Sequence, residues 1–161
     1  MTRNQFISAV EAEQEGLRKF LLALCAGDAQ RADDLAQDAL VKAYIASDGY
    51  VPKARFSSWL YRIAYNCFVD SIRKRMPPTV DAGSSQALSA PSEVRTDGSF
   101  RYQELYAAIE TLPPMERAAI LLFYMEDRPI KEISGILGVP QGTVRSHLSR
   151  GRDNLRKKIK R

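Results

Sequence analysis

Arginine and hydroxyl side chains clustered in residues 141–161 have the chemistry needed to bind nucleic acid. Eight lysine or arginine residues and a single acid, Asp153, lie in this stretch. Arginine forms paired hydrogen bonds with phosphate oxygens and guanine edges, and serine hydroxyls bond to phosphates and base edges. At about 100° per residue, Ser146, Ser149 and Arg150 point away from the apolar side of a helix. The pattern predicts a DNA-binding helix, and the alternative is an ordinary solvated basic helix.

A second helix and a sharp turn position this one. Ile130, Ile133 and Leu137 recur at i, i+3 and i+7, which predicts a short amphipathic helix. The run Gly138-Val139-Pro140 ends it, because glycine permits the turn and proline cannot continue a helix. The inward positions of the basic helix are then Val144, Leu148, Gly151, Leu155 and Ile159. This arrangement predicts a helix-turn-helix whose second helix lies in a DNA major groove.

A polar stripe with an aromatic residue runs along another helix, from Phe56 to about Arg75. Its apolar positions are Phe56, Leu60, Ile63, Ala64, Cys67 and Phe68, and its outer positions are Trp59, Arg62, Asn66, Asp70 and Arg73. Arginine holds phosphates, asparagine bonds to base edges, and aromatic rings stack on unpaired bases. The preceding loop, 47–55, contributes an aromatic beside two cations: Tyr50, Lys53 and Arg55. The stripe therefore suggests single-stranded nucleic acid; the alternative is an ordinary surface with Trp59 partly packed into the core.

The helix around residues 33–44 carries two different faces. The inner face consists of Ala32, Leu35, Ala36, Ala39 and Ala43, and the outer face of Asp34, Gln37, Asp38, Val41 and Ile45. Acids mixed with exposed apolar side chains are typical of a protein-binding surface. A second core contact for Val41 and Ile45, with solvated acids beside them, explains the pattern equally well.

The chain divides into two helical units and a linker. It has 161 residues, 45% hydrophobic and 27% charged, with a net charge of +5, which is ordinary for a globular protein. Residues 1–76 and 100–161 show helical patterns, whereas 77–99 are rich in proline, glycine and small polar residues. Strand-type alternation is missing, so we predict an all-α fold of two small domains, the second containing the helix-turn-helix. A linker of this length can hold the domains more than one DNA turn apart, which is about 34 Å.

Several function classes are disfavoured. The apolar runs fall short of the roughly 20 residues of a membrane span, and no signal pattern opens the sequence, so we predict a cytoplasmic protein without membrane insertion. Cys25 and Cys67 lie in apolar helical patterns, which favours core thiols over a metal site. Neither a nucleophile–base pair nor a phosphate loop is visible, so we expect neither an enzyme nor a cofactor.

Four motifs in order resemble the bacterial sigma-70 family, specifically its two-domain extracytoplasmic-function (ECF) type. Gly27-Asp28 and residues 34–44 resemble region 2.2, and residues 56–66 running on to Asp70 and Arg73 resemble regions 2.3 and 2.4. Residues 112–117 and 121–124 resemble region 4.1, and the helix-turn-helix resembles region 4.2. The resemblance covers nearly the whole chain, departing at Ser134, where alanine is usual, and at His147, where arginine is common.

The resemblance implies a sigma factor that binds core RNA polymerase and directs it to promoters, typically in a stress response. The residues expected to bind the polymerase are Asp34, Leu35, Gln37, Asp38 and Val41. Those expected to bind the −10 element as its strands separate are Tyr50, Lys53, Arg55, Trp59, Arg62, Asn66, Asp70, Arg73 and Lys74. Those expected to bind the −35 duplex are Thr143, Arg145, Ser146, His147, Ser149, Arg150 and Arg152.

Two further expectations accompany the resemblance. The family usually has a cognate anti-sigma factor, so the resemblance implies such a factor as a partner. The alternative function is a stand-alone helix-turn-helix regulator that acts without core polymerase. That alternative leaves the faces carrying Asp38 and Arg62 without a purpose, and binding to core polymerase would discriminate between the two.

Overall fold

A computed structural model describes residues 1–50, 55–75 and 100–159. The helices are α1 (Arg3–Leu24), α2 (Ala29–Ala46), α3 (Phe56–Arg75), α4 (Phe100–Glu110), α5 (Pro114–Ile120), α6 (Ile130–Leu137) and α7 (Gln141–Ile159). A 3-10 turn (Ser47–Gly49) follows α2, and a π-helical segment (Leu121–Met125) follows α5. The prediction of an all-α fold with a helix-turn-helix in its second unit is confirmed. Lys53 and the predicted linker, 77–99, lie outside the described residues.

Local signals in the sequence set the beginnings of the first two helices. Thr2 caps α1 in a reciprocal capping box, in which the Thr2 hydroxyl accepts from the Gln5 amide and the Gln5 side chain accepts from the Thr2 amide. Asp28 caps α2 by accepting from the amide of Arg31. Gly27, at φ 92°, makes the tight link between α1 and α2 that a residue with a side chain rarely adopts.

The first three helices enclose an apolar core that continues into the second unit. The predicted inner face of α2 is confirmed, since all five of its members are buried. On α3, however, Tyr61 and Tyr65 are also buried, although neither was among the predicted inner positions. Tyr61 stacks on Phe20 of α1 and contacts Glu126 and Arg128 of the second unit, and α6 of that unit also packs against α3. The two units therefore share one continuous hydrophobic cluster.

Two buried arginines of the second unit hold it against the first. The Arg117 guanidinium donates to the carbonyl of Leu24 at 2.7 Å and lies over the ring of Phe68. Arg128 donates to the Ser57 hydroxyl at 2.9 Å and lies 4.3 Å from the centroid of the Tyr61 ring. The Tyr61 hydroxyl in turn donates to Glu126 at 2.9 Å, and burial raises the pKa of Tyr61, so this proton stays in place. Polar contacts thus join the units across a largely apolar junction.

The C-terminal helix lies against α5 at an unusually close approach. A Cβ atom added to Gly151 would lie 2.7 Å from Cγ1 of Ile120. Val144 and Leu148 are buried on the same side, as predicted, and Leu155 is partly buried. Ile159, the last residue of α7, was predicted to face inward as well, but it is 41% exposed, so that prediction is wrong.

Candidate protein and nucleic-acid interfaces

The outer face of α2 is exposed. Asp34, Gln37 and Asp38 are all exposed, and so are Val41 (58%) and Ile45 (73%). The alternative, in which Val41 and Ile45 make a second core contact, is therefore wrong. Tyr44 adds a further half-exposed ring beside them, although its edge touches Phe6 of α1. Large apolar side chains grouped with acids on one free helix face are suited to binding a protein.

One member of the predicted polymerase-binding set is not part of this surface. Leu35 is 4% exposed and belongs to the hydrophobic core. It lies on the alanine side of α2, one residue from Asp34 but about 100° away around the helix. Leu35 packs in the core beneath the exposed face, and almost none of its side chain is accessible to a partner.

An aromatic cluster lies at the beginning of α3. Trp59 is partly buried, with its ring centroid 4.9 Å from that of Tyr50 and 5.5 Å from that of Phe56. Trp59 is therefore partly packed into the core, as the alternative interpretation states, and is not fully exposed. Tyr50 is also partly buried, so neither ring is fully exposed. The two rings contact each other, and we call this pair the Tyr50–Trp59 edge.

The polar stripe of α3 faces α6 at its beginning and solvent further on. Arg62 donates to the carbonyl of Gly135 at 2.8 Å, and Arg55 pairs with Glu132 at 3.3 Å, both on α6. Asn66 is exposed. The last turns carry the exposed Arg73, paired with the partly buried Asp70 at 3.3 Å, and the exposed Lys74. Two cations of the predicted −10 set, Arg55 and Arg62, therefore contact the second unit.

The turn between α6 and α7 is fixed by backbone geometry and by one hydroxyl. Gly138 ends α6 in the left-handed region, at φ 73°, and its amide donates to the carbonyl of Ser134. The Ser134 hydroxyl donates to the carbonyl of Val139 at 2.6 Å. An alanine at 134 would lack this bond, so the departure from the family pattern braces the turn. The braced turn sets the angle at which α7 leaves α6.

The predicted DNA-binding side chains occupy the outer face of α7. Arg145, Ser146, Ser149, Arg150 and Arg152 are exposed, whereas Thr143 and His147 are partly buried. Arg152 donates to the hydroxyl of Tyr124 at 3.2 Å. Partial burial, and next the nearby Arg150, lower the pKa of His147, so its imidazole is neutral at pH 7. His147 therefore offers a neutral ring where the family commonly has a cation.

Arg150 is held by a residue that the sequence did not indicate. Its Nε lies 3.5 Å from Oε2 of Glu116, and its Nη2 lies 3.5 Å from Nδ1 of His147. Glu116 belongs to α5 and is buried, and its other oxygen accepts from Asn154 at 3.0 Å. The sequence places Glu116 between Met115 and Arg117, before an apolar run, but helical spacing alone does not reveal that it is buried or which residues it contacts.

The described part of the chain has neither a metal-binding cluster nor a membrane-spanning helix. Residues 1–50, 55–75 and 100–159 contain no group of three or more His, Cys, Asp and Glu side chains that could hold a metal ion. Cys25 and Cys67 are both buried and form no disulfide with each other, and burial is the main cause that raises the pKa of the Cys67 thiol. In the same described part of the chain, no helix has the length and apolarity needed to cross a membrane.

Known proteins resemble this chain in both units. The family model "Sigma-70 region 2" matches residues 9–76, and "Sigma-70, region 4" matches residues 102–155. The ECF RNA polymerase sigma factor SigW of Bacillus subtilis is 34% identical over 146 residues, covering 83% of this chain and 78% of that protein. EcfG of Rhodopseudomonas palustris, another ECF sigma factor, is 31% identical over 153 residues, covering 95% and 82%.

Solved structures resemble it as well. The sigma factor RpoE of Bartonella quintana, determined with the anti-sigma factor NepR, superposes with a TM-score of 0.80 at 27% identity and covers 97% of both chains. CnrH, determined with the cytosolic domain of CnrY, shares the fold at 21% identity and a TM-score of 0.71, covering 98% of this chain and 89% of that one.

Proposed function

Because this chain belongs to the sigma-70 family, among its ECF members, we propose that it binds core RNA polymerase and directs it to promoters through the surfaces on α2, α3 and α7. The observation that carries this assignment is the exposure of two chemically different surfaces on one chain. The acidic and apolar face of α2 is suited to a protein, and the basic face of α7 is suited to a DNA duplex. A sigma factor requires both, and it acts by binding while the polymerase forms the bonds.

The face of α2 is the proposed dock for the polymerase. Asp34, Gln37 and Asp38 provide charge and hydrogen bonds, and Val41 with Ile45 provides apolar area that is otherwise left in water. We propose that Tyr44 also belongs to this surface, because its half-exposed ring lies on the same helix beside Val41 and Ile45. The partner surface expected from this chemistry is basic at one edge and apolar at its centre.

Promoter DNA is assigned to the other two surfaces. Asn66 and the arginines of α3, with the Tyr50–Trp59 edge, are placed to bind separated strands at the −10 element, where rings stack on bases. Arg145, Ser146, Ser149 and Arg150 are placed to enter the major groove at the −35 element. Since Arg62 and Arg55 are bonded to α6, they must exchange these partners for DNA, which requires the two units to move apart.

The partners and location follow from the same assignment. We propose that the protein acts in the cytoplasm, where polymerase and promoters are found, and that residues 1–76 and 100–161 are its two working domains. We also propose a cognate anti-sigma factor as a partner, on the strength of the RpoE–NepR complex, whose sigma factor has the same fold over nearly its whole length.

Co-elution with core RNA polymerase in size-exclusion chromatography tests the proposal. The double variant Gln37→Lys, Asp38→Lys should lose co-elution, because it reverses the charge of the proposed dock. The matched control, Gln103→Lys with Glu104→Lys, makes the same chemical change at two exposed positions of α4 and should co-elute like the wild type.

Two outcomes would count against the assignment. A wild-type protein that binds DNA but never co-elutes with polymerase would be the stand-alone regulator instead. A double variant that co-elutes normally would leave the sigma function intact and remove the polymerase-binding role from α2.

A further inference from the structure

A buried carboxylate beneath the DNA-binding helix joins two of that helix's side chains. Glu116 is 6% exposed and lies in the first turn of α5. Its Oε1 accepts a hydrogen bond from Asn154 at 3.0 Å, and its Oε2 lies 3.5 Å from Nε of Arg150. Arg150 and Asn154 are one helical turn apart, so a single carboxylate fixes two successive turns of α7.

The backbone around this pair leaves little freedom for the two helices to shift. Gly151 lies between the two bonded residues, at the point where α7 comes closest to Ile120 of α5. Rotation of α7 about its own axis would move Asn154 and Arg150 relative to Glu116 and would replace Gly151 with a neighbouring side chain at Ile120, where even a Cβ has no room. The carboxylate and the close approach together define the rotational setting of α7.

The contact also holds one edge of the Arg150 guanidinium. Nε is the guanidinium nitrogen paired with Glu116, at 3.5 Å, and the Arg150 side chain is 58% exposed, so solvent reaches the guanidinium beside this contact. Among the described residues, Nη1 has no hydrogen-bond partner, and Nη2 lies 3.5 Å from His147. A guanidinium presents a fixed fork of donors, so fixing one edge fixes the direction of the other.

We propose that Glu116 is a positioning residue for DNA recognition, which acts by orienting Arg150 so that its terminal nitrogens meet a base edge or phosphate of the −35 element. The inference rests on the proposed function, because it assumes that Arg150 contacts DNA. A binding group is effective when its own conformation is held by a supporting residue, since less freedom is then lost on binding.

The charge of Glu116 separates this role from simple helix packing. A glutamine at 116 keeps an oxygen that accepts from Asn154 and keeps the volume of the side chain. It loses the negative charge that attracts the Arg150 guanidinium. A purely structural role would therefore survive Glu116→Gln, whereas orientation of Arg150 would not.

The test measures base preference in the holoenzyme. The full-length protein, bound to core RNA polymerase, is incubated with a pool of DNA duplexes randomised over the −35 region, and the bound fraction is sequenced. The proteins compared are the wild type, Glu116→Gln, Arg150→Ala, the double variant, and the control Glu104→Gln, which removes one exposed charge from the same unit.

A well-placed arginine discriminates its base by about 5- to 160-fold. We expect Arg150→Ala to lose this preference at one or two positions and Glu116→Gln to lose at least about threefold at the same positions. The double variant should be no worse than Arg150→Ala alone, because Glu116 acts through Arg150. The control should match the wild type.

Three results would overturn the inference. If Glu116→Gln keeps the wild-type preference while Arg150→Ala loses it, Glu116 is structural and the proposed DNA surface stands. If the two losses add fully in the double variant, Glu116 does not act through Arg150. If Arg150→Ala changes nothing, the inference and the assignment of Arg150 to DNA fail together.

Discussion

Arg128 should contribute more to stability than any surface arginine, because it is buried at the junction of the two units. Its guanidinium donates to Ser57 at 2.9 Å, pairs with Glu132 at 3.3 Å and lies 4.3 Å from the ring centroid of Tyr61. A hydrogen bond from a charged group contributes about 1.5–3 kcal/mol, and a desolvated cation–π contact about 2 kcal/mol. Its Nε is buried without a partner, so part of this gain is offset by lost hydration.

The net effect of Arg128→Ala is therefore a loss of about 3 kcal/mol in the free energy of unfolding, the low end for breaking a buried ion pair. Glu132 keeps its contact with Arg55, which prevents a larger loss. Arg128→Met should recover part of the loss, because it retains apolar packing against Tyr61 without burying a charge.

Urea denaturation followed by circular dichroism and by the fluorescence of Trp59, the sole tryptophan of the sequence, measures this directly. With a slope of about 2 kcal/mol per molar urea, the midpoint should fall by about 1.5 M in Arg128→Ala. Arg18→Ala removes a surface arginine paired with Asp33 and should shift the midpoint by less than about 0.5 M. Equal shifts for the two variants would refute the reasoning that burial makes Arg128 the stronger contact.

Three further outcomes are expected. Arg145→Ala should cost about 1–3 kcal/mol of DNA affinity and relax preference at one −35 position in a duplex-selection assay; a uniform loss over all sequences would identify a phosphate contact. Gly151→Ala should destabilise the fold by about 1–3 kcal/mol in urea, since its Cβ would collide with Ile120, whereas Gly135→Ala has open space and should stabilise it slightly. The lowered pKa of His147 means that the unfolded chain binds the proton more readily, so stability falls as pH drops through about 6.5, the usual histidine value. His147→Gln should reduce that fall between pH 7.5 and 5.5, and identical pH profiles would contradict the shift.

Periodicity predicted the parts of the fold that depend on local pattern. The inner face of α2 and the break at Gly138 follow from spacing and from residue type, and the structure confirms both. The burial of Tyr61 and Tyr65 could not be predicted in this way, because it depends on where the second unit packs. Helical spacing assigns one apolar face per helix, whereas α3 is covered on two sides.

The candidate binding residues also show that local positions could be predicted from the sequence and long-range contacts could not. Exposed positions such as Arg145 and Asp38 lie where the pattern placed them. The burial of Glu116 and Arg128 was not predicted, because it depends on partners far away in sequence. Leu35 was assigned to the polymerase-binding surface because the family motif includes residues from both faces of α2, but Leu35 is buried. The position of a side chain on its helix is local information, but its partners are not.

Arg117 has a consequence for how the protein tolerates mutation. Within the part of the chain that the structure describes, its guanidinium donates to main-chain carbonyls alone, namely those of Leu24, Glu110 and Leu112, near the ends of α1 and α4. Carbonyls at helix ends lack intrahelical partners and carry partial negative charge, so they receive a buried cation without any carboxylate. Every residue type supplies such a carbonyl. These three bonds therefore do not depend on the side chains of the accepting residues, although Leu24 and Leu112 are constrained by their own burial in the core, and the residue that the bonds require is Arg117.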